Sequence, residues 1–338
     1  METRKVQLSG GTTYTVSLPK SWATENGIDA GSVLSLHPNG DGSLLVEASA
    51  DRSRKRRTAT VDVSTSGENA VEQRVHALHA VGFDEVALVD QSGHDVDRRK
   101  TVEQTVEELS GFELLEVTDT RIRLTNLIDA ENVEVRKSAL RLRLVTLAMH
   151  RDAVTAVVND DEALAERVVD RDAEADKLFA MVTRHFRRAL TDLHEVEKLD
   201  QGRDDLFEYY YACRQFERIA DHAEKIARFA LDPDAGLPAD FGDRIVSLGN
   251  DARQIVDHAA DVILADAGIE AAHLALEHRD ELVTEIEALD RDLYDHGVPG
   301  EAHTAGLLLD SLRRTAEYGA NVANISIQQV SRSEIDDR

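Results

Sequence analysis

From Asp129 onward the sequence is written almost entirely in helical periods. Breaks fall at Asn159-Asp160, Gln201-Gly202, the Asp232-Pro233-Asp234-Ala235-Gly236 loop, Ala267-Gly268 and Gly297 to Gly300, leaving six segments of roughly 25 to 35 residues. The first carries one apolar stripe: Val133, Leu140, Leu144, Leu147, Val154 and Val157. Long helices joined by short loops pack antiparallel. The pattern therefore predicts a mainly α half made of two sets of three helices, split at the Pro233 loop. The third segments of the two sets have similar wording, FERIADHAEKIA at 216–227 and AEYGANVANISI at 316–327. That alignment sets Glu317 against Glu217 and Asn321 against Asp221.

Two of these segments, Asp161 to Lys198 and Asp204 to Leu231, each hold a pair of acids four residues apart. The pairs are Asp172 with Asp176 and Glu217 with Asp221. Residues at this spacing share a helix face. If the two helices are neighbours, four carboxylates meet, and these cannot sit close without protons, basic partners or a cation. On a helical wheel Asp172 and Asp176 flank the stripe Leu164, Val168, Ala175, Phe179, Val182 and Phe186. Glu217 and Asp221 lie at the edge of Phe216, Ile219, Ala223, Ile226 and Ala230, with Glu224 near them. The acids are thus expected on the rim of a bundle. Oxygen ligands of this kind suit Mg, Mn, Fe or Ca. The competing reading is a solvated acidic face paired locally by Lys177, Arg218 and Lys225. A carboxylate di-metal oxidase needs Glu-x-x-His on two helices, and the helical half offers one, Glu270 to His273. No nucleophile elbow is present, and no residue is assigned a catalytic role.

Charge sets the chain apart more than hydrophobicity does. Asp and Glu number 65 against 39 Lys and Arg, for a formal net charge of −26, and only eight of the basic residues are Lys. An acidic, Lys-poor surface fits a protein kept soluble in very high salt. Cys213 is the single cysteine, which leaves no intramolecular disulfide and no thiolate metal site. No signal pattern or long apolar run is seen, so a cytoplasmic location is expected.

Residues 1 to 58 carry +2, leaving −28 on the rest, an asymmetry that points to a nucleic-acid contact at one end. Their order reads β-β-α-β-β. Lys5 to Leu8 and Tyr14 to Leu18 are strands around Gly10-Gly11, Pro19 opens a short helix through Asn26, and Val33 to Leu36 pairs with Leu44 to Glu47 across Asn39-Gly40-Asp41-Gly42. So few large apolar side chains in about 48 residues give a marginal core. The basic run RSRKRR at 52–57 reads equally as a phosphate-tracking linker or a solvated hinge. Residues 58 to 125 read as a small α/β unit: strand Thr58 to Val63, helix Glu68 to Val81, strand Glu85 to Val89, helix Arg98 to Ser110, and a hairpin of Leu114 to Val117 with Arg121 to Leu124. His76 and His79 share a helix face but have no evident partner ligands in the sequence, and read as surface or packing histidines.

The string KVQLSGGTTYTVSLPKSWATENGIDAGSVLSL and the closing LLVEA resemble the AbrB/SpoVT (MazE-like) DNA-binding domain. In that family two chains interlace to build one core, and basic residues on strands and loops contact DNA. Carried over, the resemblance implies DNA contacts at Arg4, Lys5 and Lys20. Two tandem three-helix sets with E/D-x-x-x-D motifs, and the string ERIADHAEKIA in particular, resemble the PhoU family of phosphate-uptake regulators over about residues 129–330. The fusion of the two is similar to a group of archaeal phosphate-uptake regulators, which the acidity fits.

The resemblance implies an architecture: an AbrB-like β domain at 1–50 for DNA binding and dimerisation, an α/β domain at 58–125, and PhoU-like three-helix bundles at 129–232 and 238–331. It implies a homodimeric DNA-binding transcriptional regulator of phosphate uptake, not an enzyme. Its partners would be DNA and a phosphate ABC transporter ATPase or a sensor protein. The metal ligands would be Asp172, Asp176, Glu217 and Asp221, for a divalent or iron-type ion, although Asn321 stands where the second bundle should have an acid. The alternative is a PhoU-like adaptor that inhibits the transporter and uses its N-terminal domain only to dimerise.

Overall fold

The computed structural model describes residues 3–38, 42–48, 56–238, 240–293 and 298–336. The expected turn residues 39–41, most of the basic run (Arg52, Arg54 and Lys55) and the break at Gly297 lie outside them. The chain divides into two compact units, residues 1–56 and 57–338.

The N-terminal unit is two small antiparallel hairpins and one short helix. β1 (Gln7–Ser9) pairs with β2 (Thr13–Thr15), and Gly10 and Gly11 take the positive φ values of 63° and 82° that the tight turn requires. Pro19 precedes α1 (Lys20–Glu25), as the fixed φ of proline favours at a helix start. β3 (Ser35–Pro38) pairs with β4 (Leu44–Glu47). Every element falls within a few residues of its expected place. No described residue of this unit is buried.

The second unit begins with a four-stranded sheet of order β5-β6-β8-β7. β5 (Thr58–Asp62) and β6 (Glu85–Val89) are parallel, so the chain must cross over between them, and α2 (Glu68–Val81) is that crossover. β8 (Arg121–Asn126) runs antiparallel to both β6 and β7 (Phe112–Val117), with a bulge between Leu114 and Glu116. α2 and α3 (Val96–Glu107) pack together, and Val71, Val75, Val102 and Val106 bury with Val86, Leu88, Ile122 and Leu124 of the sheet.

The rest is helical: α4 (Val135–Asn159), α5 (Glu162–Ala189), α6 (Leu193–Leu199), α7 (Arg203–Ala230), α8 (Gly242–Ala265), α9 (Ile269–Asp292) and α10 (Pro299–Asp336). One expectation needs correction. Asp161 to Lys198 is not one helix, because α5 ends at Ala189 and α6 starts anew with Asp192 as its cap, whose Oδ1 accepts from His194 N at 3.1 Å. The apolar period runs through this joint, which hid it. The two helical sets are also not separate in their packing. α10 packs on α7, α8 packs on α4, and one core runs from Ala130 to Ile325.

The α/β layer is fastened to the helices through α5. Arg184, 2% exposed, donates to the carbonyls of His79 and Phe83, both at 2.9 Å, and to Asp84 Oδ1 at 3.0 Å. Arg188 donates to the Gly82 carbonyl at 2.9 Å and to Asp84 Oδ1 at 2.7 Å. The last carbonyls of α2 lack intrahelical partners, and their negative end of the dipole favours cations. The backbone N–H groups of Gly82 and Phe83 close the last turn on the carbonyls of His79 and Leu78, and the two guanidinium groups reinforce that end with charge. Gly82 is required here twice over: its φ is 92°, and a Cβ would lie 2.4 Å from Arg188 Cγ. Arg57 joins the same seam, donating to Thr191 Oγ1 at 3.2 Å and pairing with Asp192 at 3.5 Å.

Replacing Arg184 by Ala removes one of the two guanidinium groups on Asp84 and takes a donor from the carbonyls of His79 and Phe83 inside the protein. The substitution is expected to cost about 3–5 kcal/mol, the usual cost of breaking a buried charge pair from one side, read as a lowered denaturant midpoint at unchanged slope.

Candidate functional site

The two acid pairs meet. α5 and α7 pack along each other, and their periodicity turns Asp176 of the first and Glu217 and Asp221 of the second toward one edge. One carboxylate oxygen from each of these three lies within 4.8 Å of the others. Asp172, one turn before Asp176, flanks the group. Its Oδ1 is buried without a hydrogen-bond partner among the described residues.

The electrostatics follow from crowding. Burial raises the pKa of Asp172 to about 7, helped by the charges of Asp176, Glu224 and Asp221. Burial and then Asp221 raise Glu217 to about 7 as well. Asp176 is also raised, by desolvation first and the Asp221 charge second, and Asp221 is raised by desolvation against the opposing pull of Arg214. Asp176 and Asp221 keep a solvent-open edge, whereas the Glu217 side chain is only 14% exposed. Glu217 thus sits deeper than the wheel implied, because α5 packs over it.

The local counter-charge is not the expected one. Arg214 Nη1 donates to both Oε1 and Oε2 of Glu217 at 2.9 Å. Arg228 holds Glu224 at 2.5 Å. Arg218 instead lies over the Tyr318 ring, 5.6 Å from its centroid. Arg214 and Arg228 each hold one carboxylate, and neither makes a hydrogen bond to Asp172, Asp176 or Asp221 among the described residues. The second helical set builds nothing comparable among the described residues. Glu317 is paired with Arg314 at 2.9 Å, and Asn321 Nδ2 donates to Gln215 Oε1 at 3.1 Å, so that position serves the α7–α10 contact.

The two histidines of α2 part company. His79 turns inward, with Nε2 3.0 Å from the Ser110 carbonyl and its ring edge-on to Phe112. Burial, with Arg184 nearby, pushes its pKa down to about 3, so it stays neutral and structural. His76 was expected to lack partners, but Glu72 and Glu108 stand beside it. Glu108 comes from beyond α3, a neighbour that no spacing in the sequence reveals.

In the N-terminal unit Arg4, Lys5 and Lys20 are all exposed, Arg4 and Lys5 just before β1 and Lys20 at the first position of α1.

Protonation can be read directly. Gln at position 217 mimics the protonated glutamate, and a carboxyl group whose pKa is raised on folding gives stability that is present at low pH and lost as pH rises toward 7. The stability of Glu217→Gln relative to the unsubstituted, metal-free protein is therefore expected to rise between pH 5 and 7, measured by urea unfolding at each pH.

Comparison with known families places two matches on this frame. Residues 139–230, which run from α4 through α7, match the PhoU domain family. Residues 7–55 match the antidote-toxin recognition MazE family of bacterial antitoxins. Comparison with curated protein sequences gave no match. Among solved structures, the chain is similar to the crystal structure of PhoU from Pseudomonas aeruginosa, at 20% identity and a TM-score of 0.49, over 58% of this chain and 95% of that one. It is also similar to the phosphate transport system regulatory protein PhoU from Streptococcus pneumoniae, at 17% identity and a TM-score of 0.46, over 57% and 91% of the two chains. The stretch that matches the PhoU family includes Asp172, Asp176, Glu217 and Asp221, and the stretch that matches the MazE family includes both N-terminal hairpins.

Proposed function

We propose that this chain is a homodimeric DNA-binding regulator of phosphate uptake whose helical region senses through the α5–α7 acid cluster. The observation that carries the reading is the presence of both domain types in one chain. A PhoU domain implies regulation of phosphate transport, and a MazE/AbrB-like domain suggests DNA binding. Both domain types are regulatory and not catalytic.

Dimerisation rests on physical grounds. The N-terminal unit exposes Val6 by 63%, Leu8 by 61%, Tyr14 by 77% and Val33 by 79%. Two hairpins with no buried residue among those described lack a hydrophobic core there, and a domain this small needs one or a partner. A second copy supplies it by interlacing, which leaves Arg4, Lys5 and Lys20 to face phosphates. Substituting Lys5 and Lys20 together by Ala is expected to weaken operator binding by tenfold or more at fixed salt while the protein remains a dimer in sedimentation. A dimer that represses phosphate uptake without binding DNA would favour the adaptor role instead.

The acid cluster fits a hard divalent or iron-type cation. Asp176, Glu217 and Asp221 offer oxygen ligands from two helices, and Asp172 brings a buried oxygen with no partner among the described residues. A bound cation would relieve the repulsion that raises these pKa values and would draw α5 and α7 together. Such an ion would have to displace Arg214 from Glu217, so binding shifts an existing ion pair. Elemental analysis is expected to find metal in the purified chain and markedly less in Asp176→Ala and Asp221→Ala. Equal content in all three would remove the sensing role from this cluster.

A further inference from the structure

The second cluster of ligand-type side chains lies in the α/β layer. Glu72 and His76 are one turn apart on α2, and Glu108 follows the last residue of α3. One oxygen of each glutamate and one nitrogen of His76 all lie within 4.8 Å of one another. His76 Nε2 stands 3.6 Å from Glu108 Oε2. Two ligands at about 2.1 Å from one tetrahedral ion are about 3.4 Å apart, so this pair is already near ligand spacing. Glu72 has to close by about 1 Å or a little more to complete a three-ligand face. That is within reach of a partly exposed side chain one helical turn away.

A surface ion pair accounts for His76 and Glu108 but not for Glu72. Among the described residues Glu72 has no hydrogen bond or ion pair with any base, yet it brings a second carboxylate to the same imidazole. An open groove of about 450 Å³, lined by Gln104, Glu107, Glu108, Ala173 and Lys177, gives solvent a path to Glu108. The site is also not remote from the acid cluster. Ser110 Oγ donates to the Lys177 carbonyl at 3.2 Å, and the charges of Glu108 and His76 both act on Asp176.

We propose that Glu72, His76 and Glu108 form a site for a first-row divalent transition ion of the zinc type, built by the α/β layer beside the carboxylate cluster of α5 and α7. The donor set separates the two centres chemically. An imidazole with two carboxylates accepts Zn2+ and its neighbours in the first row, whereas an all-carboxylate set suits harder ions. Water would complete the tetrahedron, since the face toward the groove is open. An ion held here ties the exposed side of α2 to the end of α3. It therefore stiffens the part of the layer that rests on α5. The proposal does not depend on the α5–α7 cluster holding an ion, or on phosphate regulation.

The test uses the full chain, stripped of metal by a chelator, with Zn2+ as the probe. Titration calorimetry is run in an Asp176→Asn/Asp221→Asn background, so that a bound ion does not belong to the acid cluster. One Zn2+ per chain is expected to bind, with a rise in melting temperature. His76→Gln and, separately, Glu108→Gln are each expected to weaken that binding by at least about tenfold and to abolish the rise, leaving the metal-free melting temperature unchanged. Both side chains are half open to solvent, so neither change should disturb folding. Co2+ supplies a second readout, because loss of the nitrogen ligand in His76→Gln alters its visible spectrum. The proposal is overturned if no Zn2+ binds in the background protein. It is equally overturned if either substitution leaves affinity and stoichiometry as they were. The acid cluster is judged separately, from the difference in metal content between that background and the unsubstituted chain.

Discussion

The arrangement of the second unit depends on how α5 holds the end of α2. A helix that stops inside a protein must find donors for its last carbonyls. Here the backbone N–H groups of Gly82 and Phe83 supply them, and Arg184 and Arg188 of α5 grip the same turn while sharing Asp84. Burial pulls Arg184 down to about 10, with Arg188 beside it, yet it remains charged at neutral pH. The network continues through Arg188 to Glu195 at 2.9 Å, and Glu195 Oε1 lies 2.5 Å from His185 Nδ1. It thus reaches the joint where α6 begins. Because this seam fixes α2 on α5, it also fixes where His76 and Glu108 stand relative to Asp176.

The acid cluster is held by the packing of α5 on α7. In a chain of net charge −26, most acids can point to water and repel weakly. Asp172, Asp176, Glu217 and Asp221 do not have that freedom, because α5 and α7 pack together. Their raised pKa values record the cost. A cation at this edge, as proposed above, would offset that cost.

Much of this was legible in the sequence because it is local. Helix Glu68–Val81, strand Glu85–Val89 and the long helices follow from apolar period and from Gly and Pro placement. The acid pairs were visible as i, i+4 spacing, and their meeting followed once α5 and α7 were neighbours. What was not legible is what depends on a third element. Arg214, not Arg218, pairs with Glu217 because Tyr318 of α10 takes the Arg218 guanidinium. Asp192 begins a new helix where the stripe seemed to continue. Glu108 reaches His76 across two helices. Each is a contact between residues that sequence distance does not relate.

The continuous core has a further consequence for how the molecule can be cut. The PhoU match spans residues 139–230, but α8 covers α4, and α10 covers α7, with the same apolar side chains that close the first set. Boundaries drawn from sequence similarity would slice through this core. A fragment trimmed to them would bare apolar faces of α4 and α7 to water, an aggregation surface in place of a domain. The stretch that matches by sequence and the stretch that shares one core are different in this chain, and the second is larger.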